Sequence, residues 1–172
     1  MRADTRRDLV LVAAADEDWG IGRDGDQLLY LREDLKRFKA LTLGRGVILG
    51  RKTLATFPGG RPLPGRRNLI LSRNPSFHPK GAEVFHTLEE LLAAAPEGAR
   101  VIGGGEVYRT LLPWCGTAYV TRIQGRFPAD TRLPNLDADP GWARVEESEP
   151  LEQDGVQYRY VTYRRRNSGV LG

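Results

Sequence analysis

Residues 99–112 read ARVIGGGEVYRTLL. An apolar, strand-like run enters Gly103, Gly104 and Gly105 and passes at once into helical spacing over 106–112, ahead of Pro113. In such a junction backbone amides and the positive end of a helix can receive a phosphate. The dinucleotide fingerprint is nevertheless broken: with Gly103 and Gly105 as its first two glycines, the third position holds Tyr108. A tight strand-to-helix turn accounts for the glycines equally well.

Working outward, further short apolar runs flanked by Gly, Pro or charge lie at 9–15, 47–49, 68–72, 83–85, 118–121 and 158–163. With 100–102 these predict strands. Helical spacing is clearest over 31–42, over 88–95 behind a capping box of Thr87 and Glu90, and over 106–112. Strands alternating with helices predict an α/β sheet, largely parallel. From Arg126 onward the helical period disappears, so an antiparallel strand or hairpin is expected at the C-terminal edge of the sheet. The 172 residues suit one domain around one core, and no internal repeat or low-complexity linker divides them. We expect a basic extension over 1–8, a single folded domain over 9–164 and a frayed tail over 165–172.

Lys and Arg exceed Asp and Glu by 26 to 22, a net charge of +4 that by itself admits a nucleic-acid or membrane-surface partner. Its distribution argues otherwise. The tails carry the excess, while residues 32–80 hold 12 basic and 2 acidic residues inside a body, 9–163, whose acidic flanks make it neutral as a whole. That pattern suits small anions, and neither nucleic acid nor membrane is expected as a partner. The single Cys115 excludes an intramolecular disulfide, no Cys/His spacing supports zinc, and we expect no metal and a reducing, cytoplasmic setting. The opening MRADTRRDLVLVAAAD imitates a secretory signal, but its apolar run is short and Asp4 and Asp8 interrupt the basic stretch.

On a helical wheel over 31–42, Leu31, Leu35, Phe38, Leu41 and Thr42 form one arc, and Asp34 falls inside it. The opposite side takes Arg32, Glu33, Lys36, Arg37, Lys39 and Ala40. A carboxylate in an apolar arc is either a first-turn residue favoured by the helix dipole or a site acid whose proton affinity burial raises. Two other strand ends carry phosphate-like groups. GVILGRKTL places Arg51, Lys52 and Thr53 at a helix start, and NLILSRN ends in Ser72 and Arg73. Each alone also reads as solvated surface, but three such ends suit the ligand edge of an open α/β sheet.

Taken in order, VAAADEDWGIG, EDLKRFKALT, GRKTLATFPGGRPLPGRRNLILSRN, VIGGGEVYRTLLP, YVTRI and ADTRLP resemble the dihydrofolate reductase family over nearly the whole chain. The resemblance implies a central eight-stranded mixed sheet flanked by helices, acting as a monomer, and reduction of 7,8-dihydrofolate to 5,6,7,8-tetrahydrofolate by hydride from NADPH. It makes Asp34 the acid that holds the pterin ring and promotes protonation of N5, with Thr121 as its hydroxyl partner. Val12, Ala13, Leu35, Phe38, Phe57 and Ile102 would line the substrate pocket, and Arg66 would pair with the substrate glutamate's α-carboxylate.

For the cofactor, Arg51, Lys52 and Thr53 match phosphate contacts, and Ser72 and Arg73 match contacts to the 2′-phosphate that distinguishes NADPH from NADH. Gly104, Gly105, Val107 and Tyr108 match the turn beside pyrophosphate and nicotinamide, and Ala14 and Ile21 match positions near the nicotinamide ring. The stretch 16–31 corresponds to a mobile loop, with Gly20, Gly22 and Gly25 suited to hinging.

Two positions depart from the family: Leu29 stands where it commonly has Trp, and Arg32 where it has Pro. Losing the indole N–H and the preset φ of proline bears on proton delivery and on the helix start. His78 and His86 read as surface residues, and Trp114, Trp142, Tyr158 and Tyr160 as packing. The competing readings are a same-fold NADPH reductase of another pterin-like or ribosylaminopyrimidine substrate, and a basic nucleic-acid-binding protein.

Overall fold

The computed structural model of the chain describes residues 6–23 and 26–166. In chain order its elements are β1 (Leu9–Ala15), β2 (Gly20–Arg23), β3 (Asp26–Gln27), α1 (Arg32–Thr42), β4 (Gly46–Gly50), α2 (Arg51–Ala55), β5 (Arg67–Leu71), β6 (Ala82–Phe85), α3 (Leu88–Ala94), β7 (Arg100–Gly103) and α4 (Gly105–Leu111). β8 (Cys115–Ile123), β9 (Thr131–Arg132), β10 (Trp142–Glu147), β11 (Leu151–Gln153) and β12 (Val156–Arg165) complete it.

The main sheet runs β10-β12-β8-β1-β7-β4-β5-β6. Neighbours from β8 to β6 are parallel, whereas β12 is antiparallel to β8 and to β10. The mixed eight-strand sheet with an antiparallel C-terminal edge is therefore present, and the short β11 adds to β12 beside it. Along β1, alternate residues enter opposite cores, as a strand covered on both faces requires. Leu9 and Leu11 join Ile48, Leu69, Leu91, Val101 and Leu111, while Val10 and Val12 join Val47, Leu49, Leu54, Ile70 and Ile102. α3 and α4 cover the first face; α1 and α2 cover the second.

The chain departs from the sequence expectations at both ends. Arg6 lies within the expected basic extension yet is buried, donating to the carbonyls of Leu92 (2.7 Å), Ala95 (2.9 Å) and Pro96 (3.2 Å) and pairing with Asp8 at 2.7 Å. The Leu92 and Ala95 carbonyls are among those that the end of α3 leaves without helical partners; Pro96 follows the C-cap. At the other end β12 continues through Arg165, whose side chain donates to Cys115 O and Leu112 O, and the Arg166 amide bonds Gly141 O. Residues 165 and 166 are thus held rather than frayed, and 167–172 of the expected tail lie outside the described residues.

The expected mobile loop over 16–31 contains β2 and β3, which with β9 make a second, three-stranded sheet. Gly25 lies outside the described residues. Asp16 anchors the start of this segment: its carboxylate accepts from the amides of Asp18, Gly20 and Phe127. Trp19, at φ 64, buries its ring beneath the Arg122 guanidinium, 3.7 Å from ring centroid to Cζ. Among the described residues no helix is long and apolar enough to cross a membrane, and no group of three or more His, Cys, Asp or Glu could hold a metal ion.

Candidate active site

The chain leaves β1 toward β4–β6 and returns to insert β7 between β1 and β4 before crossing to β8. Such a reversal opens a crevice at the carboxyl ends of the strands. A cleft of about 1320 Å³ occupies that place, more than the ~300–1,000 Å³ of a single-ligand pocket. Every residue that the sequence reading singled out for catalysis, substrate or cofactor lines it.

One wall is α1. Its apolar stripe does not simply face the core: Leu31 and Thr42 are buried, but Leu35 is 42% exposed because it faces the open cleft, with Phe38 and Leu41 half-buried beside it. Leu31, at the N-cap, supplies no side-chain cap. The Arg32 amide, a donor that proline would lack, instead donates to Gln153 Oε1 at 2.6 Å. Asp34 follows two residues later, in the first turn of the helix.

β8 lies beside β1 with Thr121 opposite Ala14, which brings the Thr121 hydroxyl under α1. It donates to Asp34 Oδ1 at 2.5 Å. Burial raises the proton affinity of Asp34 above that of an ordinary carboxyl; the Thr121 hydrogen bond and the Arg37 charge oppose this without cancelling it. Tyr108 closes the floor, fully buried, its hydroxyl donating to Val12 O at 2.7 Å.

Val12, Ala13, Ile102 and Phe57 continue the apolar wall from Asp34. At its outer end Arg66 donates to Thr42 Oγ1 at 3.0 Å and to Pro64 O at 2.9 Å, and partial burial lowers its proton affinity. These bonds fix the guanidinium in place at the mouth of the apolar part.

The opposite end is polar and basic. Gly50 ends β4, so that exposed Arg51 and Lys52 and half-buried Thr53 open α2 beside Gly104 and Gly105. A Cβ at Gly104 would lie 3.2 Å from Thr53 Oγ1, and one at Gly50 3.1 Å from Val107 Cγ2. Side chains there would fill the gap between the two helix starts, so the glycines keep that gap open. Gly103 holds φ +121, a conformation glycine supplies, and is joined to Gly104 by a cis peptide bond. Farther along, Ser72 Oγ accepts from the Asn74 amide at 3.2 Å, which leaves its own proton to donate, next to exposed Arg73. Ala14 and Ile21 line the middle, between the two ends.

The sequence reading missed several cleft residues. Arg37, on the polar side of the wheel, faces the cleft; it sits roughly 60° from Asp34 on the same projection, and that proximity was the available signal. Tyr119 and Leu63 also line it. His86, expected at the surface, is exposed but belongs to the basic end, its Nδ1 2.8 Å from Ser72 O. Leu29 lines the cleft in the position noted as a departure, and nearby Tyr30 donates to the Asp26 carboxylate, which helps push its phenol up to about 12.

An α/β sheet with a half-buried acid on the apolar wall of a long cleft, and basic groups at the far end, is an arrangement suited to an oxidoreductase that takes a phosphorylated cofactor. A family model described as dihydrofolate reductase matches residues 8–165. The chain is 39% identical over 160 residues to the type 3 dihydrofolate reductase of Salmonella typhimurium, covering 91% of this chain and 97% of that one. It is 42% identical over 152 residues to the dihydrofolate reductase of Mycobacterium leprae, covering 84% and 90%. Among solved structures, dihydrofolate reductase from Enterococcus faecalis, complexed with NADP(H) and RAB-propyl, matches with a TM-score of 0.82 at 37% identity, covering 92% of this chain and 96% of that one. The chain belongs to the dihydrofolate reductase family, and its activity is the NADPH-dependent reduction of dihydrofolate.

Proposed function

We propose that this reaction is carried by Asp34, held by Thr121 on the apolar wall of the cleft. The observation that supports it most directly is the 2.5 Å hydrogen bond joining the two in a half-buried setting. Among the described residues, the cleft's other acids, Asp26 and Glu106, are exposed. When bound, NADPH supplies the hydride that reaches C6 of dihydrofolate. The chain's part is to bring a proton to N5 and to hold the ring still. Burial favours the neutral carboxyl, so Asp34 retains its proton to higher pH than an exposed aspartate would, and Thr121, by donating to Oδ1, leaves Oδ2 as the atom to face the pterin.

Val12, Ala13, Leu35, Phe38, Phe57 and Ile102 exclude water from the ring, and Arg66 takes the α-carboxylate at the mouth, where its bonds to Thr42 and Pro64 preorganise it. The residues at the other end fit NADPH. The Gly50/Gly104 cradle, with Arg51, Lys52 and Thr53 beside it, would hold the pyrophosphate; Ser72 and Arg73 would hold the 2′-phosphate; Gly105, Val107, Tyr108, Ala14 and Ile21 would flank the nicotinamide half. The two anchors at opposite ends of the apolar wall, Asp34 and Arg66, favour a folate over a pterin-like substrate without a carboxylate tail. We read residues 9–164 as the catalytic unit, acting as a monomer in the cytoplasm, a setting that suits one buried thiol whose ionisation burial pushes up to about 12.

The test is Asp34→Asn. Dihydrofolate-dependent NADPH oxidation near neutral pH is expected to fall by about 10²–10⁴-fold while NADPH binding is kept. Undiminished turnover would remove Asp34 from this role.

A further inference from the structure

Arg37 follows Asp34 by one helical turn, on a neighbouring part of the same helix face. Its guanidinium carbon lies 4.1 Å from the centroid of the Tyr160 ring and 5.8 Å from that of Tyr119. The pairing of β12 with β8 puts Tyr160 directly opposite Thr121, and Tyr119 precedes Thr121 by two residues, so all three side chains share one face of the sheet. One small patch therefore grips the two α1 charges that face the cleft beside it: Thr121 takes the acid Asp34, and two aromatic faces take the cation Arg37. A guanidinium stacked on rings keeps a fixed place that a solvated one would not.

We propose that Arg37, clamped on Tyr160 and Tyr119, is a positioning residue that sets the proton affinity of Asp34 and with it the upper pH limit of turnover. This rests on the reading of Asp34 as the reaction's acid. The groups facing Asp34 are Arg37 from α1, Thr121 from β8, Tyr108 from α4 and Tyr160 from β12; β1 presents only Val12, Ala13 and Ala14. Burial pushes the Tyr160 phenol up to about 12 and also raises that of Tyr108, so both are neutral near neutral pH. Arg37 is then the charged neighbour, and its field favours the carboxylate against the burial that favours the acid. Removing the cation lets the carboxyl keep its proton to higher pH, so the falling limb of activity moves upward.

The experiment is the pH dependence of kcat/KM for dihydrofolate, with NADPH affinity measured alongside, in the wild type, Arg37→Gln, Arg37→Lys, Tyr160→Leu and the Arg37→Gln/Tyr160→Leu double variant. Arg37→Gln is expected to move the falling limb up by about one unit, a tenfold change in proton affinity, with NADPH affinity unchanged within about twofold. Arg37→Lys, which keeps the charge but loses the planar stack, moves it less. Tyr160→Leu moves it in the same direction, and adds nothing in the Arg37→Gln background. A merely structural role would lower the plateau and leave the limb in place, and an unmoved limb in folded Arg37→Gln overturns the proposal. Should that variant not fold, unmoved limbs in both Arg37→Lys and Tyr160→Leu do the same. A falling limb that persists at the wild-type pH in Asp34→Asn instead overturns the assignment of Asp34.

Discussion

Asp34 occupies a place where a carboxylate is disfavoured, and its neighbours decide how far. That much was legible in the sequence: of the two acids of α1, a helical wheel puts Glu33 on the polar side and Asp34 among Leu31, Leu35 and Phe38. The part that Arg37 plays was not, because the rings that hold it arrive from β8 and β12, more than 80 residues later, and no local period reports them. The same contrast holds at the basic end. Ser72 and Arg73 are conspicuous at a strand end, whereas His86 reaches them only through the parallel pairing of β6 with β5. Arg73 carries its own prediction. A guanidinium facing a phosphate dianion makes charge-assisted bonds of about 1.5–3 kcal/mol, so Arg73→Ala should weaken NADPH roughly 10- to 150-fold and leave NADH within about twofold. Fluorescence titration with both cofactors checks this, and equal losses would contradict a contact to the 2′-phosphate.

Among the elements, the long strands were readable from apolar runs and the two-residue period, and α3 from its capping box: the Thr87 hydroxyl accepts from the Glu90 amide at 3.1 Å. The second sheet was not, since strands of two to four residues offer too few positions to show alternation, and Trp19 and Asp16 position them through contacts with 122–127. The other end of α3 was equally hidden, because its cap is Arg6, 86 residues upstream of Leu92. Arg6→Ala should cost about 1.5–3 kcal/mol in urea unfolding, the worth of hydrogen bonds from a charged group. The Arg6 guanidinium and the Gly98 amide hold the Asp8 carboxyl below the usual carboxylate range. A depressed carboxyl contributes stability that is present above its unfolded value and lost as pH falls through the folded one. Arg6→Ala should therefore show a shallower loss of stability than the wild type on acidification below about pH 4. An unchanged acid limb would mean that Asp8 draws its low proton affinity from elsewhere.

On the scale of the whole molecule, the charge distribution proved more telling than its total. The basic stretch 32–80 contributes Arg37, Lys39, Arg51, Lys52, Arg66 and Arg73 to a single cleft, where the ligands are anions. The sheet order has a further consequence, in the way the molecule is made. β1 is the first strand to be synthesised and lies at the centre of the sheet, yet both its neighbours, β7 and β8, come from residues 100–123. Its run LVLVAAA must wait some ninety residues for partners, and parallel pairing across such separations is intrinsically slow. Ribosome-bound chains of increasing length should gain protease resistance no earlier than the emergence of Ile123, and resistance in a chain ending at β6 would show that β1 finds another shelter first. Until then the most apolar strand of the protein is also its longest exposed, which makes the nascent chain, more than the finished enzyme, the form that chaperones have reason to guard.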